Sequence, residues 1–281
     1  MDFNSVIWLI FLLSAFQPLV QQRALLARRV RALRQLERSR GTRAITLIHR
    51  QESFSFFGLS FARYIDVDDA EAVLRAIELT APAVPIDLVL HTPGGLVLAA
   101  EQISRALSRH QAKVTVLVPH YAMSGGTLIA LAADEIVLAP SAVLGPIDPQ
   151  LGQHPAASIL AAVDRKDVNK VDDETLIMAD VARKAISQVR EAATVLLTRR
   201  GMDSEEADKL AGLLSEGTWT HDHPITAEAA MSLGLRVSTE IPQQVRDLIR
   251  LYPQPRGRRP AVEYIPLPYR APARSTEPEG R

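Results

Sequence analysis

The chain has 281 residues, with 32 Lys and Arg against 32 Asp and Glu, so its formal net charge is zero. That balance excludes a generic nucleic-acid binder, which carries a basic excess; the 47% apolar and 23% charged composition excludes a largely disordered chain. With no cysteine, a disulfide framework, a thiol nucleophile and a thiolate metal site are excluded as well.

Taken in chain order, the first feature is a stretch without charge from Phe3 to Gln22, with its apolar centre at Val6–Phe16. Twenty helical residues cover about 30 Å, the hydrocarbon thickness of a bilayer. Asp2 precedes this run, and Arg23, Arg28, Arg29, Arg31, Arg34, Arg38, Arg40 and Arg43 follow it. A cleaved signal peptide would carry its cations before the apolar run. Residues 1–22 therefore read as a single transmembrane anchor. The positive-inside rule places the N-terminus outside and the rest of the chain in the cytoplasm, on the inner (plasma) membrane. Residues 23–41 continue as a basic helical segment next to the membrane, with Leu25, Leu26, Val30, Leu33 and Leu36 at three- and four-residue spacing.

Residues 42–245 alternate between strand and helix signals. Ala44–Ile48 reads as a strand and Asp68–Leu79 as a helix capped by Asp66 or Asp68. Ile86–Leu90 is a strand that stops at His91-Thr92-Pro93-Gly94-Gly95. The amphipathic helix Leu98–Ser108 follows, and then the strand Val114–Val118. Pro119–Met123 turns into Ser124-Gly125-Gly126 and the small, apolar helix Thr127–Ala133. Ile136–Leu138 is a further strand and Pro140–Leu151 a loop. A strand, a glycine turn and a helix thus occur twice, which implies a parallel sheet with helices outside it. Downstream, Asp173–Arg199, Ser204–Leu213 and Thr226–Leu233 read as helices, the second with a weak capping box from Ser204 and the third stopped by Gly234. Residues 246–281 form a tail rich in proline and arginine; from 251 onward it holds seven of the 18 prolines. Such a composition buries little.

Two glycine turns at the ends of neighbouring parallel strands suit the recognition of an oxyanion. Glycine brings the backbone close to a ligand and leaves N–H groups free. Ser124 stands immediately before the second pair, where a nucleophilic hydroxyl would be presented. The base is open on spacing alone. Among the seven histidines, His91 and His120 lie at strand ends near the turns, and His154 follows Ser124 by 30 residues. There are only five lysines (Lys113, Lys166, Lys170, Lys184 and Lys209), and a lysine acts as a base only when its pKa is pulled well below 10.4.

HTPGG at 91–95, VPHYAMSGGTLIALAADEIVLAP at 118–140 and LGPIDPQLG at 144–152 resemble the serine dehydrogenase proteinase family. That family is a membrane-associated branch of the serine peptidases with the Clp protease/crotonase fold, related to signal peptide peptidase A and the NfeD-type membrane proteases. The resemblance covers roughly residues 42–240. It implies an α/β spiral of repeated strand-turn-helix units, so that 42–245 is a Clp/crotonase-like serine peptidase domain. Lys166-Asp167 is similar to the pair that carries the lysine base in signal peptide peptidase A, and Gly201–Leu235 resembles the segment that follows it, including its ending at Ala230–Leu235. The resemblance thus implies Ser124 as nucleophile, Lys166 as base in a Ser-Lys dyad, and N–H groups of Gly125 and of Gly94 or Gly95 as the oxyanion hole. His91 departs from the Asn usual before the first turn. The Clp protease itself uses a histidine about 25 residues beyond its serine; here position 149 is proline, flanked by Asp148 and Gln150, and His154 is the alternative base. The implied activity is endopeptidase hydrolysis of a peptide or protein substrate through an acyl-enzyme. No cofactor or metal and no nucleic acid is called for, membrane lipid is contacted through the N-terminal helix, and a homo-oligomer is expected. Two other functions use the same fold: a crotonase-type acyl-CoA enzyme and a catalytically idle membrane scaffold.

Overall fold

The computed structural model describes residues 3–49, 54–56, 59–61 and 64–252. Five parallel strands form the central sheet in sequential order: β1 (Arg43–Ile48), β2 (Ile86–His91), β3 (Val114–Val118), β4 (Glu135–Leu138) and β5 (Val237–Ser238). Ile45, Leu88, Val116, Ile136 and Val237 lie opposite one another and form one row across it. Every residue of β2 and β3 is buried. Helices cover both faces of such a sheet, so its central strands read as continuous apolar runs.

The helices are α1 (Phe3–Arg40), α2 (Val67–Glu78), α3 (Val97–Arg109), α4 (Gly125–Leu131), α5 (Ala156–Asp164), α6 (Asp173–Arg199), α7 (Ser204–Ser215), α8 (Ala227–Ser232) and α9 (Gln243–Arg250). The fold is mixed α/β with a parallel sheet, and α2, α3 and α4 are the crossovers between β1, β2, β3 and β4. Of the two caps considered, Asp66 closes α2. Its carboxylate accepts from Asp69 N at 2.9 Å, and Asp69 accepts from Asp66 N at 3.1 Å. At α7 the cap is one residue earlier than expected. Asp203 accepts from the Glu205 and Glu206 amides, which makes Ser204 the first helical residue. A carboxylate beside a helix N-terminus also complements its dipole. The last helix straddles residue 245 and buries Val245, Leu248 and Ile249, so the packed region extends past that boundary.

The run expected to be an anchor and the basic segment fall in one 38-residue helix, about 57 Å long. Among the described residues no helix is long and apolar enough to cross a membrane. The side chains of residues 1–16, which include the expected apolar centre, lie outside the described set. The C-terminal half of α1 is joined to the domain. Leu36 is fully buried, Arg29 stacks over the Tyr252 ring at 3.9 Å, and Arg40 forms a bidentate pair with Asp87 of β2. Asp87 is fully buried and also accepts from Thr42 Oγ1 at 2.8 Å. That pairing raises the pKa of Arg40 above its ordinary value. The C-terminal tail from residue 253 onward lies outside the described residues.

Candidate active site

Parallel strands end on one edge of a sheet, and ligands bind in the crevice beyond those ends. Here both glycine turns stand on that edge. After β3 the chain makes a two-residue strand, Tyr121–Ala122, which pairs with Val143–Leu144 and bridges to Thr92 in the first turn. Ser124 then takes φ 52° and ψ −119°, the one positive φ outside glycine among the described residues. An L-residue there stores strain, on the order of 1–3 kcal/mol. Hydrogen bonds hold it from three sides: Met123 N to Thr92 O at 3.0 Å, Gly126 N to Met123 O at 2.8 Å and Leu128 N to Ser124 O at 3.1 Å. The serine therefore sits at a sharp, enforced bend between strand and helix.

The first turn packs directly on this bend. Gly94 has φ 109°, and a Cβ on it would lie 2.7 Å from Ser124 Cβ. A Cβ on Gly95 would lie 2.3 Å from the Ile65 backbone. Ile65 brackets the turn, donating its N–H to Gly94 O and accepting from Leu96 N, both at 2.8 Å. The three glycines expected to supply an oxyanion hole are not equivalent. The Gly94 N–H is already engaged by Thr92 Oγ1 at 3.2 Å. The Gly95 and Gly125 N–H groups have no hydrogen-bond partner among the described residues. A Cβ on Gly125 would lie 3.6 Å from Gly95 N, so the two donors are neighbours. Gly95 and Gly125 thus carry the two unengaged amides beside Ser124.

A cavity of about 220 Å³ opens on Ser124, Gly95 and Gly125, and His221 and Asp148 line it as well. His221 Nδ1 lies 2.8 Å from Asp148 Oδ1, and the Asp148 side chain is 1% exposed. Its second oxygen accepts from Gln150 Nε2 at 2.7 Å. An ionised carboxylate only accepts, so Nδ1 carries the proton and Nε2 is the nitrogen able to receive one. The fold brings these two residues together across 73 positions. Leu144 and Ile225 exchange hydrogen bonds at 3.0 and 2.9 Å, and Ile147 N donates to Leu214 O at 2.8 Å. These tie the loop carrying Asp148 to the segment carrying His221. No local motif announces such a pair. Only the LGPIDPQLG segment and the two histidines of the Thr220–His223 run could have pointed to it.

The other candidate bases lie elsewhere. Lys166 is exposed beyond the end of α5, and His154 is exposed in a two-residue strand paired with Leu151; neither lines this cavity. The single chain thus does not bring Lys166 to Ser124, nor give it the burial a lysine base requires. His91 is buried in β2, packed on Tyr121 and His120 with ring centroids 4.3 and 5.5 Å away. A larger cavity of about 720 Å³ lies beside α7 and β5, but neither Ser124 nor the Gly94-Gly95 and Gly125-Gly126 turns line it.

Comparison with known proteins extends this picture. The profile of the ClpP-like SDH-type serine proteinase family matches residues 2–278. An uncharacterised protein of Methanocaldococcus jannaschii is 53% identical over 260 residues, covering 92% of this chain and 88% of its own. A second from that organism is 51% identical over 261 residues, covering 93% and 91%. Among solved structures, a serine-to-alanine variant of the 1510-N membrane-bound stomatin-specific protease aligns with a TM-score of 0.44 and 20% identity, covering 67% of this chain and 79% of that one.

Proposed function

The chain belongs to the ClpP-like SDH-type serine proteinase family, and from that premise we propose that it cleaves peptide bonds by acyl transfer through Ser124, with His221 as general base and Asp148 as its orienting partner. One observation carries this assignment. The strained serine, the two unengaged glycine amides and a histidine bonded to a buried aspartate line a single small cavity.

The mechanism follows from those atoms. Ser124 Oγ attacks the substrate carbonyl while His221 Nε2 takes its proton. The developing oxyanion receives the Gly95 and Gly125 N–H groups, donors already fixed by the backbone. Asp148 holds the ring in the productive tautomer and stabilises the imidazolium. His221 then protonates the leaving amine, and water repeats the sequence to release the acyl group.

The Ser-Lys dyad is the competing assignment. It requires a rearrangement or a neighbouring subunit to carry Lys166 to the serine. The N-terminal helix is proposed as the membrane tether, supported by the uncharged run before Arg23 and by its helical continuity with the domain. The catalytic domain is then cytoplasmic, and we propose a homo-oligomer as the working form. A periplasm-specific reporter fused after Arg281 should stay silent; activity there reverses the orientation. For the chemistry, a fluorophosphonate probe should label wild type at Ser124 and leave Ser124→Ala unlabelled, with peptide hydrolysis lost in parallel. Absence of label on the wild-type protein would instead point to the acyl-CoA enzyme or the idle scaffold.

A further inference from the structure

Behind the first glycine turn runs a chain of polar groups, buried at His49 and Thr92 and half-buried at Asp69, that the proposed mechanism leaves unused. His49 ends the strand region of β1 and is 5% exposed. Its Nε2 lies 3.0 Å from Asp69 Oδ2 and its Nδ1 lies 3.0 Å from Thr92 Oγ1. Thr92 is fully buried, and its Oγ1 in turn faces the Gly94 amide at 3.2 Å. Asp69 is itself fixed by the capping box at the start of α2.

With Asp69 ionised and His49 neutral, the contacts fit one arrangement of protons. Ionised Asp69 has no hydrogen, so His49 Nε2 donates to it. Nδ1 of the neutral ring then accepts from the Thr92 hydroxyl, which lies 3.0 Å from it and 3.4 Å from its other acceptor, Gly94 O. With its own proton committed, Thr92 Oγ1 presents lone pairs to the Gly94 N–H. Thr92 Oγ1 thus touches both His49 and the Gly94 backbone, at its N–H and at its carbonyl oxygen.

Its consequence lies one peptide further on. In a trans peptide the C=O and N–H point to opposite sides. Gly94 O is bonded to Ile65 N at 2.8 Å, which turns the Gly95 N–H of the same peptide away from Ile65. That N–H is one of the two donors at the Ser124 cavity. A Gly-Gly unit has the torsional freedom to rotate this peptide, and rotation would replace the donor with a carbonyl oxygen. The Ile65 bond restrains the peptide on one side, and the bond from Thr92 restrains the amide that precedes it.

We infer that His49, held by Asp69 and acting through Thr92, is a positioning residue that keeps the Gly95 N–H aimed into the oxyanion hole. This rests on the acyl-transfer reading above and deepens it. His49 touches no reacting atom. Its effect should appear where the transition state is bound and not where the substrate is.

The test compares full-length wild type, Thr92→Val, Thr92→Ser and His49→Ala in detergent. The readouts are kcat and KM on a peptide substrate, and the inhibition constant of a peptide boronic acid, which forms a tetrahedral adduct in the hole. Removing one oxyanion donor costs on the order of 10²–10³ in kcat, and misaiming one should cost at least about tenfold. Thr92→Val and His49→Ala are expected to lower kcat by that factor, leave KM within about threefold, and weaken the boronate by a similar factor. Thr92→Ser keeps the hydroxyl and should stay within about threefold of wild type on all three. If Thr92→Val does not fold, His49→Ala decides alone. The inference is overturned if both variants keep kcat and boronate affinity, or if KM alone rises. Wild type that neither cleaves peptide nor takes up a fluorophosphonate would instead remove the acyl-transfer reading itself.

Discussion

Replacing Ser124 by glycine should stabilise the protein while abolishing its activity, whereas alanine at the same position should abolish activity without stabilising it. The argument is one of backbone strain. At φ 52° and ψ −119° any side chain with a Cβ is costly, and the usual cost is about 1–3 kcal/mol. Alanine keeps that cost and glycine relieves it. Glycine also makes the unfolded chain more flexible, which takes back about 0.5–1 kcal/mol. Central values leave a gain of ~1 kcal/mol, which for a domain of this size raises the melting temperature by about 2–4 °C. Thermal melts of wild type and the two variants by circular dichroism, in the same detergent, make the comparison directly. At an ordinary N-cap glycine already exceeds alanine, so the strain is read from a Ser124→Gly melting temperature above that of wild type itself. A Ser124→Gly protein that melts at or below wild type would therefore refute the claim that the active-site bend stores strain.

Three further outcomes follow. Arg40→Met should destabilise by about 3–5 kcal/mol in urea, because it leaves the fully buried Asp87 charge uncompensated. The double variant Arg40→Met/Asp87→Leu should recover most of that loss. Arg200→Ala, which strips donors from Ala132 O at 2.7 Å and Asp134 at 2.6 Å, should cost ~1–3 kcal/mol in the same assay. The Lys113 ammonium, 2.6 Å from Glu135, holds that carboxyl below its ordinary value of 4.5, with Ser238 assisting. A depressed carboxyl pKa stabilises the fold above the unfolded value and stops doing so as pH falls through the folded one. The destabilisation by Lys113→Met should thus be present at neutral pH and shrink below about pH 4; one that is unchanged at pH 3 would contradict this.

Legibility in the sequence followed the range of the forces involved. Strands β2 and β3 and their glycine turns were readable because apolar runs and glycine torsions are local properties. Ser124 was readable for the same reason. The Asp203 cap was displaced by one residue, since Asp and Ser both serve at that position and only the geometry chooses between them. His221 was not legible. Its partner Asp148 lies 73 residues earlier, and nothing in the intervening spacing brings the two together. The tie is made by the Leu144–Ile225 bridge and the Ile147–Leu214 bond. The resemblance implies Lys166 as base, but placement along the chain carries no information about burial, and Lys166 is exposed in the single chain. Likewise, the choice of Gly95 over Gly94 depended on Thr92 engaging one amide and leaving the next.

The central claim is that His221, bonded to Asp148, activates Ser124. The rate constant for fluorophosphonate labelling of Ser124 tests it most directly, because labelling needs the activated hydroxyl and no particular substrate. Full-length wild type, His221→Ala and Lys166→Ala should be compared under identical conditions. The account predicts that His221→Ala slows labelling by about a thousandfold or more, while Lys166→Ala stays within about threefold of wild type. Rapid labelling of His221→Ala together with loss of labelling in Lys166→Ala would contradict it and return the base to the lysine.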